Sequence, residues 1–308
     1  MNQSLRFAAT LALALSFGST PAARAEGGAI HGTLTGHVLA TGGGRVLLLD
    51  KTGTILWQHK GRNCSDIWML GNGNVLHADN NVTEIDPKTD QVVWSYKPEQ
   101  QKGGGTFSCQ RLENGNTMVG ENSAGRIVEV DRNGTVVFEL KLPLMQPGSH
   151  NNLRMVRKLK DGNYLVCHKG KSLVREYTPK GDVVFEVKVS DIPFSAVRLD
   201  NGNTVVGHIN NVTEFDKTGN EVWRFNKNSL KGLEIGMICG IHVQPNGNVV
   251  MGFYRAVQKE NGAGLLEITR DQELVWRYVN TSARTDRNMM GVQLLDGNGA
   301  PLPGEVIR

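Results

Sequence analysis

Between Leu199 and Phe225 the chain reads LDNGNTVVGHINNVTEFDKTGNEVWRF, short apolar runs broken by turn residues. Thr204, Val205 and Val206 follow an Asn201-Gly202-Asn203 turn, and Val212 to Phe215 form a second run. Asp216 to Gly219 form a second turn, and Val222, Trp223 and Phe225 supply a third run. Gly and Asn tolerate the positive φ of tight turns, and β-branched or aromatic residues suit a pleated, half-buried surface. The stretch is predicted to be three antiparallel strands of a meander.

The same unit recurs along the chain. Its first turn is Gly73-Asn74, Gly115-Asn116, Gly162-Asn163, Gly202-Asn203, Gly247-Asn248 and Gly297-Asn298, each preceded by an apolar run. Its second turn starts at Asp50, Asp86, Asp131, Thr178, Asp216 and Thr269, and an aromatic follows at Trp57, Trp94, Phe138, Phe185, Trp223 and Trp276. A repeat of about 35–50 residues indicates a propeller or solenoid, and four short strands per copy point to propeller blades. The first copy, His37 to Trp57, lacks a first strand, whereas the last, Met289 to Leu295, holds little else. The two fragments complement each other. The expected fold is all-β: a six-bladed β-propeller closed by pairing of N- and C-terminal strands, which removes two exposed sheet edges.

Gly-Asn, an apolar strand, then Asp-x-x-Gly-x-x-x-Trp resembles the PQQ-like propeller repeats of bacteria and, more distantly, those of six-bladed arylsulfotransferases. The resemblance spans nearly all of the chain after residue 30 and implies the fold. It does not single out a function, because one propeller fold hosts many activities. The arylsulfotransferase likeness implies a histidine that is transiently sulfated, with His168 or His208 beside Arg154 as candidates. The local motifs of those enzymes find no residue-by-residue match. The vicinal cysteine pair of quinone-dependent alcohol dehydrogenases is absent, so no cofactor is expected, PQQ included.

Composition adds a compartment. Met1 to Ala25 reads as a secretory signal, with Arg6 as the basic flank, Phe7 to Phe17 as the apolar core and Ala23-Arg24-Ala25 as the cleavage site. That core falls short of the ~20 residues a membrane span takes. The expectation is a periplasmic or secreted protein, one propeller domain over residues 26–308, with no membrane span. The formal charge of +4 drops to +2 without Arg6 and Arg24, which gives no argument for nucleic acid. Cys64, Cys109, Cys167 and Cys239 lack metal-ligand spacing, and no metal is expected. An oxidising compartment leaves open either a Cys64–Cys109 bridge or buried thiols.

The turns on one face of the predicted disc are short and uniform. The other face carries extended loops, Leu142 to Asn152, Asn226 to Gly236 and Tyr254 to Gly264, and function sits more often on such loops. One helical turn is expected within Lys227 to Gly236. The sixth residue after the Gly of each first turn ends the second strand on this face: Gly42, Asp79, Glu121, His168, His208 and Phe253. Ionisable groups at four of these positions suggest a polar ring, joined by Asp66, His150, Asn151, Asn152, Arg154 and Arg287 near the starts of first strands. A site for an anion, a sugar or a metal is one reading, with His168 and His208 as its best pair, and a solvated rim is the other. His77 and His242 are expected to be structural, as are the third-strand Glu84, Glu129, Glu176, Glu214 and Glu267. The expected role is a binding or scaffold protein that presents a polar channel mouth to a protein partner or a small polar or glycan ligand. The alternative is an enzyme at that mouth, with sulfuryl transfer or polysaccharide cleavage as candidate reactions.

Overall fold

A computed structural model describes residues 27–303 except 63–64, 100–101, 103, 144–145, 147 and 281–286. Six antiparallel sheets form a closed ring. Blade 1 joins the two ends of the chain: Val292–Leu294 is its innermost strand, followed outward by Val38–Gly42, Arg45–Leu49 and Ile55–Lys60. The register pairs Val38 with Leu294 and Ala40 with Val292, so the split repeat closes as predicted. Blade 2 begins at Asp66–Met69, blade 3 at Thr106–Arg111, blade 4 at Val156–Lys158, blade 5 at Pro193–Arg198 and blade 6 at Met237–Val243.

Two elements depart from the sequence reading. The Gly-rich lead-in contains a strand, Ala29–Gly32, which adds a fifth, outermost strand to blade 6 by pairing with Leu274–Val279. The chain ends therefore lock two neighbouring blades. The loop expected to hold a helical turn instead holds the strand Glu234–Ile235, paired in parallel with Gly262–Ala263 from the other long loop. The helical turn among the described residues is a 3-10 turn, Lys169–Lys171.

Turn chemistry explains the repeat. Gly73, Gly115, Gly162, Gly202 and Gly247 adopt φ of 85–91°, where a side chain would be strained. In the second turn, the Asp216 carboxylate accepts the Thr218 and Asn220 amides, and Asp50 and Asp131 do the same in their blades. The Asn of the first turn has a further task. Asn74, Asn163, Asn203 and Asn248 donate through Nδ2 to Glu84, Glu176, Glu214 and Glu267 of their own third strands. Four of the third-strand carboxylates also reach the next blade: Glu84 takes Arg111, Glu129 takes Lys158, Glu176 takes Arg198 and Glu214 takes Arg270. The repeated Glu is a rivet between blades, which is the structural role its periodicity suggested.

Apolar clusters fill the gaps between blades. Leu76, Val82, Cys109 and Val128 meet between blades 2 and 3, and Cys167, Val174, Ala196 and Val206 between blades 4 and 5. The repeated aromatic closes the outer end of these gaps. Trp276 and Trp94 are buried, while Trp223 is half-buried beneath Arg270 of blade 6, whose Cζ lies 4.2 Å from the ring centroid. His77 and His242 are buried, and Nδ1 of His242 accepts the Leu294 amide, stitching blade 6 to blade 1. Cys109, Cys167 and Cys239 are buried, whereas Cys64 and the signal-like Met1 to Ala25 lie outside the described residues. Among the described residues, no helix is long and apolar enough to cross a membrane.

Candidate functional site

First strands run from the long-loop face toward the turn face, so the residues at their starts surround the channel mouth. A cavity of about 510 Å³ opens there. Every blade contributes to its wall: Asn288 and Met290 lead into the inner strand of blade 1, Ser65 and Asp79 come from blade 2, and Phe107 from blade 3. His150, Arg154 and Lys169 come from blade 4, Ile192, Phe194 and Ile209 from blade 5, and Met237 and Tyr254 from blade 6.

The cavity has a floor. At its narrow inner end Ser65, Met155, Cys239 and Gly240 converge with Phe107, Phe194 and Met290. One residue beyond Ser65 and two beyond Met155, Asp66 and Arg157 form a buried, two-pronged ion pair. Arg157 Nη1 and Nη2 donate to the two Asp66 oxygens at 2.7 and 2.8 Å. The Cys109 amide donates to the same carboxylate at 3.0 Å, and the Arg157 guanidinium stacks 4.9 Å from the Trp68 ring centroid. A channel plugged this way becomes a blind pocket.

Arg154 sits at the base of that pocket, with 9% of its surface exposed. Its Cζ is 4.1 Å from the Phe107 ring centroid and 5.2 Å from that of Phe194. Nη2 meets His150 Nε2 at 2.8 Å, Nε is buried without a partner, and no carboxylate among the described residues pairs with the group. Burial lowers its pKa to about 10. Lys169 begins the 3-10 turn after the second strand of blade 4 and shares the cavity. Burial, and then the Arg154 charge, lower its pKa to about 8. Asp79 is turned toward its own loop, accepting the amides of Asn80, Asn81 and Arg62.

Of the predicted residues, Asp79, His150 and Arg154 line the cavity. The others are placed elsewhere. His168 is 1% exposed, with Nε2 2.9 Å from the Tyr177 hydroxyl of its own blade, and burial lowers its pKa to about 3. His208 is equally buried, held by Asp191 at 2.6 Å and Thr213 at 2.9 Å, and burial again lowers its pKa against the opposing pull of Asp191. Neither imidazole lines the cavity, so the rim pair expected from the sequence does not form. Glu121 is buried between Tyr96 and Arg126, and Asp66 is consumed in the floor. Asn152 ties its loop to the Asn122 and Gln146 carbonyls, and Arg287 is exposed beside the wall residue Asn288. Asn151 is exposed and does not line the cavity.

In blades 4 and 5 the sixth residues after the turn Gly, His168 and His208, end the strand as buried groups, and the next residues, Lys169 and Ile209, lie in the turn that follows and line the cavity. In blade 2 both Asp79 and Asn80 line it.

The fold and this blind pocket define a six-bladed propeller with a ligand-sized recess at one channel mouth, and the chain resembles PQQ-like propeller proteins. Residues 16–160, less than half of the chain, match the PQQ-type family model described as outer membrane protein assembly factor BamB. A solved protein of unknown function from Bacteroides caccae is similar at 22% identity and a TM-score of 0.72, over 84% of this chain and 98% of that one. A streptogramin B lyase is similar at 14% identity and a TM-score of 0.57, over 85% and 90%. An inactive variant of virginiamycin B lyase from Staphylococcus aureus, solved with quinupristin, is similar at 13% identity and a TM-score of 0.56, over 83% and 90%. These likenesses show the fold. No curated protein matches.

Proposed function

We propose that the protein is an exported binding protein that takes a small ligand into the channel-mouth cavity. One observation carries this reading: all six blades contribute to the wall of a recess of about 510 Å³ whose inner end is closed. That volume falls within the ~300–1,000 Å³ of small-molecule sites, which combine apolar walls with a few polar groups. Export is supported by the signal-like Met1 to Ala25 and by the match to a family described as an outer membrane assembly factor. A macromolecular partner would meet the same face, with its loops 226–236 and 254–264. The catalytic alternative loses the two imidazoles on which it rested, since His168 and His208 lie outside the wall.

The test is a fragment screen by ligand-observed NMR on the mature protein, repeated on Ile209→Trp, which fills the recess from a half-buried wall position. Hits that disappear in the filled variant support the reading. Hits that persist undiminished overturn it.

A further inference from the structure

We propose that the cavity selects a small organic oxyanion, its charged head between Arg154 and Lys169 and its apolar body against Ile192, Phe194, Ile209 and Met237. The proposal rests on the ligand-binding reading above and names the class of ligand.

Four observations carry it. Arg154 is nine-tenths buried with a protein neighbour on only one terminal nitrogen, the neutral-capable His150 ring, and its Nε has none. A charge taken out of water needs a counter-charge or a full set of acceptors, and the described residues supply neither. Arg157, three residues on, is the internal comparison: it is fully buried and its Nε likewise lacks a partner, but Asp66 meets it on both terminal nitrogens. Second, Phe107 and Phe194 flank Arg154 and exclude water from its faces, which leaves the guanidinium edge on the cavity side as the place for acceptors. Third, Lys169 lines the same cavity, and its amine has no hydrogen-bond or ion-pair partner among the described residues. Two cations sharing one recess repel each other, and an anion between them removes that cost. The lowered pKa of each group is consistent with this crowding. Fourth, Asp79, the carboxylate on the wall, is turned to three backbone amides of its own loop and forms no ion pair with Arg154 or Lys169 among the described residues.

The rest of the wall decides the body of the ligand. Ile192 and Ile209 of the neighbouring blade 5, Met237 of blade 6 and Met290 beside blade 1 are apolar and line the recess with the charged pair. A bare inorganic anion would leave this surface in contact with water. An aromatic or acyl acid satisfies both halves, because a guanidinium and an ammonium hold the oxygens while the body covers apolar surface.

Isothermal titration calorimetry of the mature protein against 2-naphthoate, its neutral isostere 2-naphthamide, and inorganic sulfate and phosphate tests the assignment. Naphthoate is expected to bind at one site, at least about tenfold more tightly than naphthamide or either inorganic anion. Arg154→Met is expected to lose about tenfold or more for naphthoate, and Lys169→Gln severalfold, with naphthamide unaffected by the latter. Arg154→Met should also leave the melting temperature unchanged or raised, because it removes an uncompensated buried charge. Equal affinity for naphthamide overturns the anion class and leaves the cavity reading standing. Sulfate or phosphate binding as tightly as naphthoate overturns the organic body. Failure of every probe to bind overturns this proposal, and the fragment screen on the filled variant then decides separately whether the cavity reading falls with it.

Discussion

Arg157 of blade 4 reaches past blade 3 to grip Asp66 of blade 2 with two hydrogen bonds of 2.7 and 2.8 Å, and neither side chain meets solvent. The pair ties three blades together, since the blade 3 amide of Cys109 joins the same carboxylate. It also converts an open channel into a recess. Ligand site and ring stability therefore share one element.

Breaking this pair leaves a buried charge unmet. Arg157→Met and Asp66→Asn are each expected to cost about 3–5 kcal/mol in urea unfolding. The double variant Asp66→Leu with Arg157→Met should recover a large part of that loss, because neither charge is then stranded. Additive losses in the double variant would refute an ion pair as the source.

Ring closure makes a graded prediction. Deleting residues 289–308 removes the buried inner strand of blade 1, with Val292 and Leu294 in the core, and should lower the melting temperature sharply. Shortening the chain to begin at residue 34 removes only the mostly exposed outer strand of blade 6 and should cost much less. A truncation at residue 288 that melts with the full mature protein rules out closure by the C-terminal strand.

Trp223 is half-buried, its Nε1 donating to the Arg270 carbonyl at 2.8 Å and its face covered by the Arg270 guanidinium. Trp223→Ala is expected to cost about 2 kcal/mol, below the range for a fully buried aromatic. A double-mutant cycle with Arg270→Ala should show coupling of about 0.5–1 kcal/mol. Coupling indistinguishable from zero would mean that the stacked arrangement contributes nothing.

His168 predicts a pH dependence of stability. Its folded pKa is lowered to about 3 from 6.5, first by burial and then by Arg175 and Lys171, while the ring faces Tyr177. The unfolded chain accepts a proton that the buried ring refuses. This contribution is complete above pH 6.5 and is lost as pH falls toward 3. His168→Gln should therefore lose less stability than wild type between pH 7.5 and pH 5. Parallel losses in the two proteins would show that the ring takes up its proton without unfolding.

Lys169 predicts a pH dependence of binding. The amine, lowered to about 8 by burial and by Arg154 and partly restored by Cys239, holds an anion only when protonated. Naphthoate affinity should weaken as pH rises through about 8, with the midpoint moved upward by the bound anion. The Lys169→Gln variant should show a flat profile over the same range, Arg154 staying charged until about 10. The same slope in both proteins would show that Lys169 is not the titrating group.

Local chemistry wrote the architecture into the sequence. Gly at positive φ, Asp accepting two turn amides and β-branched runs between them specify strands and turns one blade at a time, so six copies and a split repeat were enough to predict the closed ring. Even the inter-blade Glu showed through, because it recurs at one third-strand position in five of the six blades. The pocket obeyed no such repetition. Its wall takes one or a few residues from each blade, so no period marks Phe107, Phe194 or Asn288 as neighbours. The turn after the second strand of blade 4 carries Lys169 to the cavity while His168 stays buried, and only the assembled structure showed this. Asp66 and Arg154 both read as free charges near first strands. Tertiary structure alone decided between them, by setting Arg157 within reach of one and aromatic faces and an imidazole, with no carboxylate partner among the described residues, around the other.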